Sequence, residues 1–130
     1  MEFPEEYLYT EDHEWIVVDG DVVTVGITDF SQQQRGDIEC IDLPREGRRL
    51  EAGQVFAVIH AENSVADVYA PVSGEVIEVN EELDDDASTI NLSPYEDGWM
   101  IKVRMDSPDE ADTLMSVDEY EDLVSEMDLD

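Results

Sequence analysis

Residues 56–80 read FAVIHAENSVADVYAPVSGEVIEVN, and the alternation within this stretch decides the fold. Residues 56–60 are apolar, Ala61-Glu62-Asn63-Ser64 is a polar turn, and residues 65–69 run back, which is the pattern of a β-hairpin. Ala70-Pro71-Val72-Ser73-Gly74 then interrupts the alternation. Proline has no N–H for a ladder and glycine permits a positive φ, so Pro71 and Gly74 mark a turn. A third strand follows over 75–80. The hairpin holds out one exposed tip, residues 61–64.

Working outward, the flanking segments repeat the β pattern. Residues 15–18 read as a strand, Asp19-Gly20 as a tight hairpin turn, and residues 22–27 as the return strand with Val23, Val25 and Ile27 on one face. Thr28 is placed to cap a short helix over 29–35 that Gly36 closes, and a strand follows over 38–43. Residues 99–105 alternate again, which predicts Trp99, Ile101, Val103 and Met105 inward and Met100, Lys102 and Arg104 outward. The chain ends in helix: Ser107-Pro108-Asp109-Glu110 has a cap and a proline start, and Ser116-Val117-Asp118-Glu119 is a capping box. The last helix sets Val117, Tyr120, Val124 and Met127 on one stripe. Residues 1–10, with Phe3, Tyr7, Leu8 and Tyr9, read as a packed arm.

These elements predict a mainly β fold: a flattened barrel or sandwich of two small sheets with short flanking helices, in one domain over residues 1–130. Hydrophobic residues make up 42% of the chain, enough for a modest core. There are 36 acidic residues against 6 basic ones, a formal net charge of −30. So much like charge strains a small folded domain in dilute buffer, whereas molar salt shortens screening to about 3 Å. The acids spread over the whole sequence, which points to a saline cytoplasm rather than an acidic tail. Nucleic acid and anionic membrane are excluded as partners, and no long apolar run predicts a membrane span or signal peptide. The one cysteine, Cys40, is expected to be a buried small hydrophobe.

Several motifs in this order resemble one family. Tyr9-Thr10-Glu11-Asp12-His13-Glu14-Trp15, Val25-Gly26-Ile27-Thr28, Gly36-Asp37-Ile38, Asp67-Val68-Tyr69-Ala70-Pro71-Val72-Ser73-Gly74 and Asn91-x-x-Pro94-Tyr95-x-x-Gly98-Trp99-x-x-Lys102 are similar to the glycine cleavage system H protein, a carrier in the lipoyl and biotinyl fold group. The resemblance implies a non-catalytic protein bearing lipoate on a lysine at the hairpin tip. In that family the tip reads E-S-V-K-A. Here the lysine position is Asn63, the glutamate position is His60, and the apolar residue before the lysine is Glu62. A carboxamide nitrogen is not nucleophilic, so lipoate cannot be attached at Asn63, and no cofactor is expected. The helix-end position that is usually leucine in the family is Arg35.

Other chemistry finds little support. His13 and His60 have no second ligand at zinc spacing, and Asp84-Asp85-Asp86 fails the calcium-loop pattern because Thr89 and Tyr95 stand where it needs glycine and an acid. That segment reads as a solvated acidic loop. Arg35, Arg45, Arg48 and Arg49 cluster in sequence and either receive a phosphate or an acidic partner or pair with the chain's own acids. Three functions stay open. One is a lysine-less module docking on aminomethyltransferase, on a lipoate-attaching enzyme or on an unrelated protein. The second is a working carrier of glycine's aminomethyl group, modified at Lys102. The third is a structural or regulatory protein unrelated to glycine. The charge yields a first prediction: the melting temperature rises strongly from dilute buffer to molar potassium chloride, and a flat response in a thermal scan would remove the argument for a saline cytoplasm.

Overall fold

The computed structural model describes residues 3–62 and 64–127. Among them, the strands are β1 (Leu8–Tyr9), β2 (Glu14–Asp19), β3 (Val22–Ile27), β4 (Ile38–Asp42), β5 (Arg49–Leu50), β6 (Val55–Ala61), β7 (Val65–Tyr69), β8 (Gly74–Val79) and β9 (Ile101–Met105). They form a six-stranded sheet in the order β1-β2-β3-β9-β8-β5 and a three-stranded sheet in the order β4-β6-β7. Every pairing is antiparallel. Helix α1 (Asp29–Arg35) follows β3, α2 (Glu82–Asp85) and α3 (Thr89–Leu92) lie between β8 and β9, and a 3-10 helix (Pro108–Thr113) precedes α4 (Val117–Met127).

The expected sandwich is the architecture found; neither sheet closes on itself. Ile16, Val23, Val25, Val76 and Val103 from the large sheet interleave with Ile41, Phe56, Ile59 and Val68 from the small one to make the main core. These positions alternate with outward residues, as the two-residue period of a strand requires. A second, aromatic core of Tyr9, Trp15, Phe30 and Tyr120 lies under α4 and the N-terminal arm.

The 70–73 turn does more than separate strands. It carries the chain from the small sheet to the large one, so the third strand of the decisive stretch pairs with β9 and β5 rather than with the hairpin. Ala70 and Val72 are buried on the way. Gly74 then lies so close to β9 that an added Cβ would stand 2.1 Å from the Arg104 carbonyl oxygen. The sequence marks this glycine as a turn residue; its constraint is the close approach of a neighbouring backbone.

Other local expectations are met. Thr28 caps α1, its Oγ1 accepting from Ser31 N–H, and Gly36 ends the helix at φ 79°. Ser116 and Glu119 exchange the two capping-box bonds at 3.0 and 3.3 Å. Tyr120 and Val124 of the final stripe are buried and Val117 is partly so, while the Met127 side chain is outside the described residues.

Four expectations need correction. Cys40 is exposed, because it lies on the outer face of edge strand β4, where a bulge between Ile38 and Cys40 shifts the register. Met100 is fully buried and Trp99 packs into the aromatic core. The alternation begins only at Ile101; Met100, just before the strand, is held between β3 and the end of β8, donating to Val25 O and accepting from Asn80 N–H. Ser107 makes no side-chain cap, and the segment after it winds as a 3-10 helix. Asp84 and Asp85 lie in helix α2, which seats Leu83 in the core, rather than in a loop.

Gly74→Ala is expected to cost about 3 kcal/mol or more, since a backbone carbonyl cannot yield as a side chain would. Denaturant unfolding in molar salt measures it; a loss near zero would show that β8 and β9 can separate freely.

Candidate functional site

The tip is built by the β6–β7 register, which pairs Val58 with Asp67, Ile59 with Ala66 and His60 with Val65. Ala61 N–H donates to Ser64 O at 2.9 Å and closes the turn. Glu62 N–H donates to Asp37 O at 2.9 Å, which ties the tip to the start of β4. Asn63 lies outside the described residues. Glu62 is exposed, and Val65 is 67% exposed, an apolar side chain held out beside the tip.

His60 has an identifiable partner. Its Nε2 is 3.0 Å from Asp42 Oδ2, so the N–H tautomer donates to the carboxylate. Strand register sets His60 across from Cys40 on one side and Val65 on the other. The outer face of the small sheet thus gathers Cys40, Asp42, His60, Val65 and Asp67 below the tip. Sequence spacing could not show this, because the pairs come from separate strands.

Behind β7 lies a feature that the sequence hides. Glu14 is 1% exposed. Its Oε2 accepts from Tyr69 N–H and its Oε1 from Thr10 Oγ1–H, both at 2.9 Å. One carboxyl group therefore links β2 of the large sheet to edge strand β7 of the small one. Burial raises its pKa to about 7 against the pull of those two hydrogen bonds, and the nearby Asp12 charge adds to the rise. Among 36 acids no single glutamate stands out in the sequence. Its place between Thr10 and Trp15 in the strand-opening motif was the only available signal.

Glu14, Asp12, Ser31, Arg35 and Asp67 line a notch of about 10 Å³, room for no more than a water molecule. The Arg35 Nε is buried there without a hydrogen-bond partner among the described residues. The four arginines grouped by sequence do not act together. Arg35 faces this notch, Arg45 lines a separate hollow with Glu46 and Asp84, and Arg48 donates to Val55 O. Only Arg49 pairs with an acid, Asp106, among the described residues.

His13 anchors the other end of the same motif. It holds φ 69° without being glycine, and its Nδ1 lies 2.8 Å from Tyr120 Oη. Thr28 Oγ1 is 2.7 Å from that same hydroxyl, and the Tyr9 ring stacks on Tyr120 at 4.7 Å. Burial lowers the His13 pKa, and the Arg35 charge lowers it further. Lys102 sits in mid-strand on the opposite sheet, with Nζ 5.4 Å from the Trp99 ring centroid.

A two-sheet sandwich with the β6–β7 hairpin tip held at the end of the small sheet matches the carrier scaffold of the lipoyl type. The profile of the glycine cleavage H-protein family matches residues 7–127, and the chain belongs to that family. It is 48% identical to the glycine cleavage system H protein of Halalkalibacterium halodurans over 123 residues, covering 95% of this chain and 96% of that one. It is 45% identical to the protein of the same name from Chromohalobacter salexigens, covering 94% of each chain. The crystal structure of a glycine cleavage system H protein from Mycobacterium marinum superposes with a TM-score of 0.87 at 33% identity, covering 95% of this chain and 99% of that one.

The buried carboxyl group makes a pH prediction. Its folded pKa lies above the unfolded value of 4.5, so its contribution to stability is complete below about pH 4.5 and is lost as pH rises to about 7. That loss is on the order of 3 kcal/mol. Glu14→Gln removes it, so wild type should lose ground to the variant between pH 5 and about 7, and the gap should stay constant above that. Unfolding free energies at matched salt read the difference; parallel curves would mean that Glu14 does not titrate in this range.

Proposed function

We propose that this chain is a lipoate-free member of the H-protein family that serves as a docking or regulatory module. Its partners are components of glycine cleavage or of lipoate attachment, such as an aminomethyltransferase, met in a saline cytoplasm. The observation that carries this reading is the tip sequence His60-Ala61-Glu62-Asn63, where the family's resemblance calls for a glutamate first and a lysine last. The scaffold around it supports presentation of the tip: the hairpin strands pair without interruption from Ala57–Val68 to His60–Val65, and Glu62 is tied back to Asp37.

The names of the relatives favour a second reading, a working carrier of glycine's aminomethyl group. Such a carrier needs a lysine amine, and Lys102 is the only lysine. Its place in the middle of β9, paired with Thr24 and Glu78, gives an attached arm no hairpin tip to swing from.

Intact mass of the protein purified from its own host separates the two. The expected mass is that of the bare chain. A mass heavier by one lipoyl group, mapped by peptide sequencing to Lys102, would replace the first reading with the second.

A further inference from the structure

We propose that the outer face of the six-stranded sheet is a self-complementary surface through which two copies of this chain associate. On that face Glu75 of β8 stands opposite Arg104 of β9, and Glu78 of β8 stands opposite Lys102 of β9. Arg49 of β5 flanks Glu75, and Val22 and Thr24 of β3 flank Arg104 and Lys102. Half of the chain's six basic residues are therefore on one face of a protein of net charge −30. None of Glu75, Glu78, Lys102 and Arg104 has an ion-pair partner within 4 Å among the described residues. All four are at least partly exposed.

The pattern has the symmetry that a two-fold contact requires. Consider a two-fold axis in the contact plane, running along the strands between β8 and β9. Rotation about it keeps height along the strands and exchanges the two sides. Glu75 of each copy then meets the partner's Arg104, and Glu78 of each copy meets the partner's Lys102. Four interchain ion pairs form from charges that remain unpaired in one chain. Arg49 meets the partner's Val22 through its aliphatic stem. Any face lacking such cations would bring acid against acid, which costs several kcal/mol per close pair. Charge complementarity thus selects a second copy in this one orientation.

The salt dependence is the reverse of that of an ordinary ionic contact. At low ionic strength screening extends to about 30 Å and two chains of like net charge repel as wholes. In molar salt it shrinks to about 3 Å, so the repulsion between whole molecules fades first, and ion pairs in direct contact, weakened but no farther apart than that length, are the last to be screened. The contact area spans β5, β8, β9 and β3, four strands spaced about 4.8 Å apart, which fits a weak, concentration-dependent dimer at the small end of specific interfaces.

Sedimentation velocity on the full chain tests this, from micromolar to near-millimolar protein in molar potassium chloride. A reversible dimer is expected. Glu75→Arg should raise the dimer Kd by at least about tenfold, because position 75 of each copy would then set a cation against the partner's Arg104. The double variant Glu75→Arg with Arg104→Glu exchanges the charges and should restore the wild-type Kd. These side chains face solvent, so circular dichroism should report one fold for all three proteins. Wild type that stays monomeric throughout would overturn the proposal and leave the face to another partner. A Glu75→Arg variant that dimerises as tightly as wild type would overturn it too.

Discussion

The two sheets meet across an apolar core, and one buried polar contact fixes the base of the hairpin against the large sheet. The Glu14 carboxyl reaches from β2 to the backbone N–H of Tyr69 at the end of β7. Apolar packing alone tolerates sliding, because it has no direction. A backbone N–H donating at 2.9 Å to a buried carboxyl group does not. Tyr69 is the last residue before the turn that carries the chain into the large sheet, so this bond sets where the small sheet ends. The tip, four residues up β7, inherits its position from there. The cost is a carboxyl group held where ionisation is disfavoured, which its raised pKa records.

A second polar knot fixes the periphery. The Tyr120 hydroxyl stands between Thr28 Oγ1 and His13 Nδ1, and its ring lies flat on Tyr9. Four separate segments meet there: the N-terminal arm, the loop before β2, the cap of α1 and helix α4. Phe3 adds an edge contact to Tyr120 at 5.0 Å, and the Tyr9 hydroxyl donates to Pro4 O. This explains the positive φ of His13. Only that backbone twist lets His13 N–H reach Thr10 O while His13 O accepts from Thr28 N–H. A β-rich sandwich of this size has few helix contacts to hold its ends, and aromatic stacking about one hydroxyl substitutes for them.

Much of the fold was legible because strand period, glycine and proline act locally. The hairpin, the Asp19-Gly20 turn, the Thr28 cap and the Ser116 capping box depend on residues a few positions apart, and each is found. What was hidden depends on which strand lies beside which. Cys40 was expected in the core because free cysteine is among the residues most often buried, yet it stands exposed on the outer face of an edge strand. Met100 looked exposed because the alternation was counted two residues too early. The lost lysine of the tip could be read from motif spacing, whereas Glu14, the His60–Asp42 pair and the separation of Arg35 from the other arginines required the register itself.

The pairing of β3 with β9 carries a consequence for how the chain is made. Val22 binds opposite Arg104, and Val25 opposite Ile101, so the middle of the large sheet joins residues from nearly opposite ends of the sequence. Contacts so distant in sequence form late, because closing a long loop must precede any gain from them. During synthesis the β2–β3 hairpin and the β4-β6-β7 sheet can assemble as they emerge from the ribosome. The apolar inner faces of Val23, Val25 and Ile59 must then wait for β9 to leave the exit tunnel. Throughout that interval the nascent chain is a half-built sandwich with its core open to water, and its dense acidic charge keeps such chains apart on a crowded polysome.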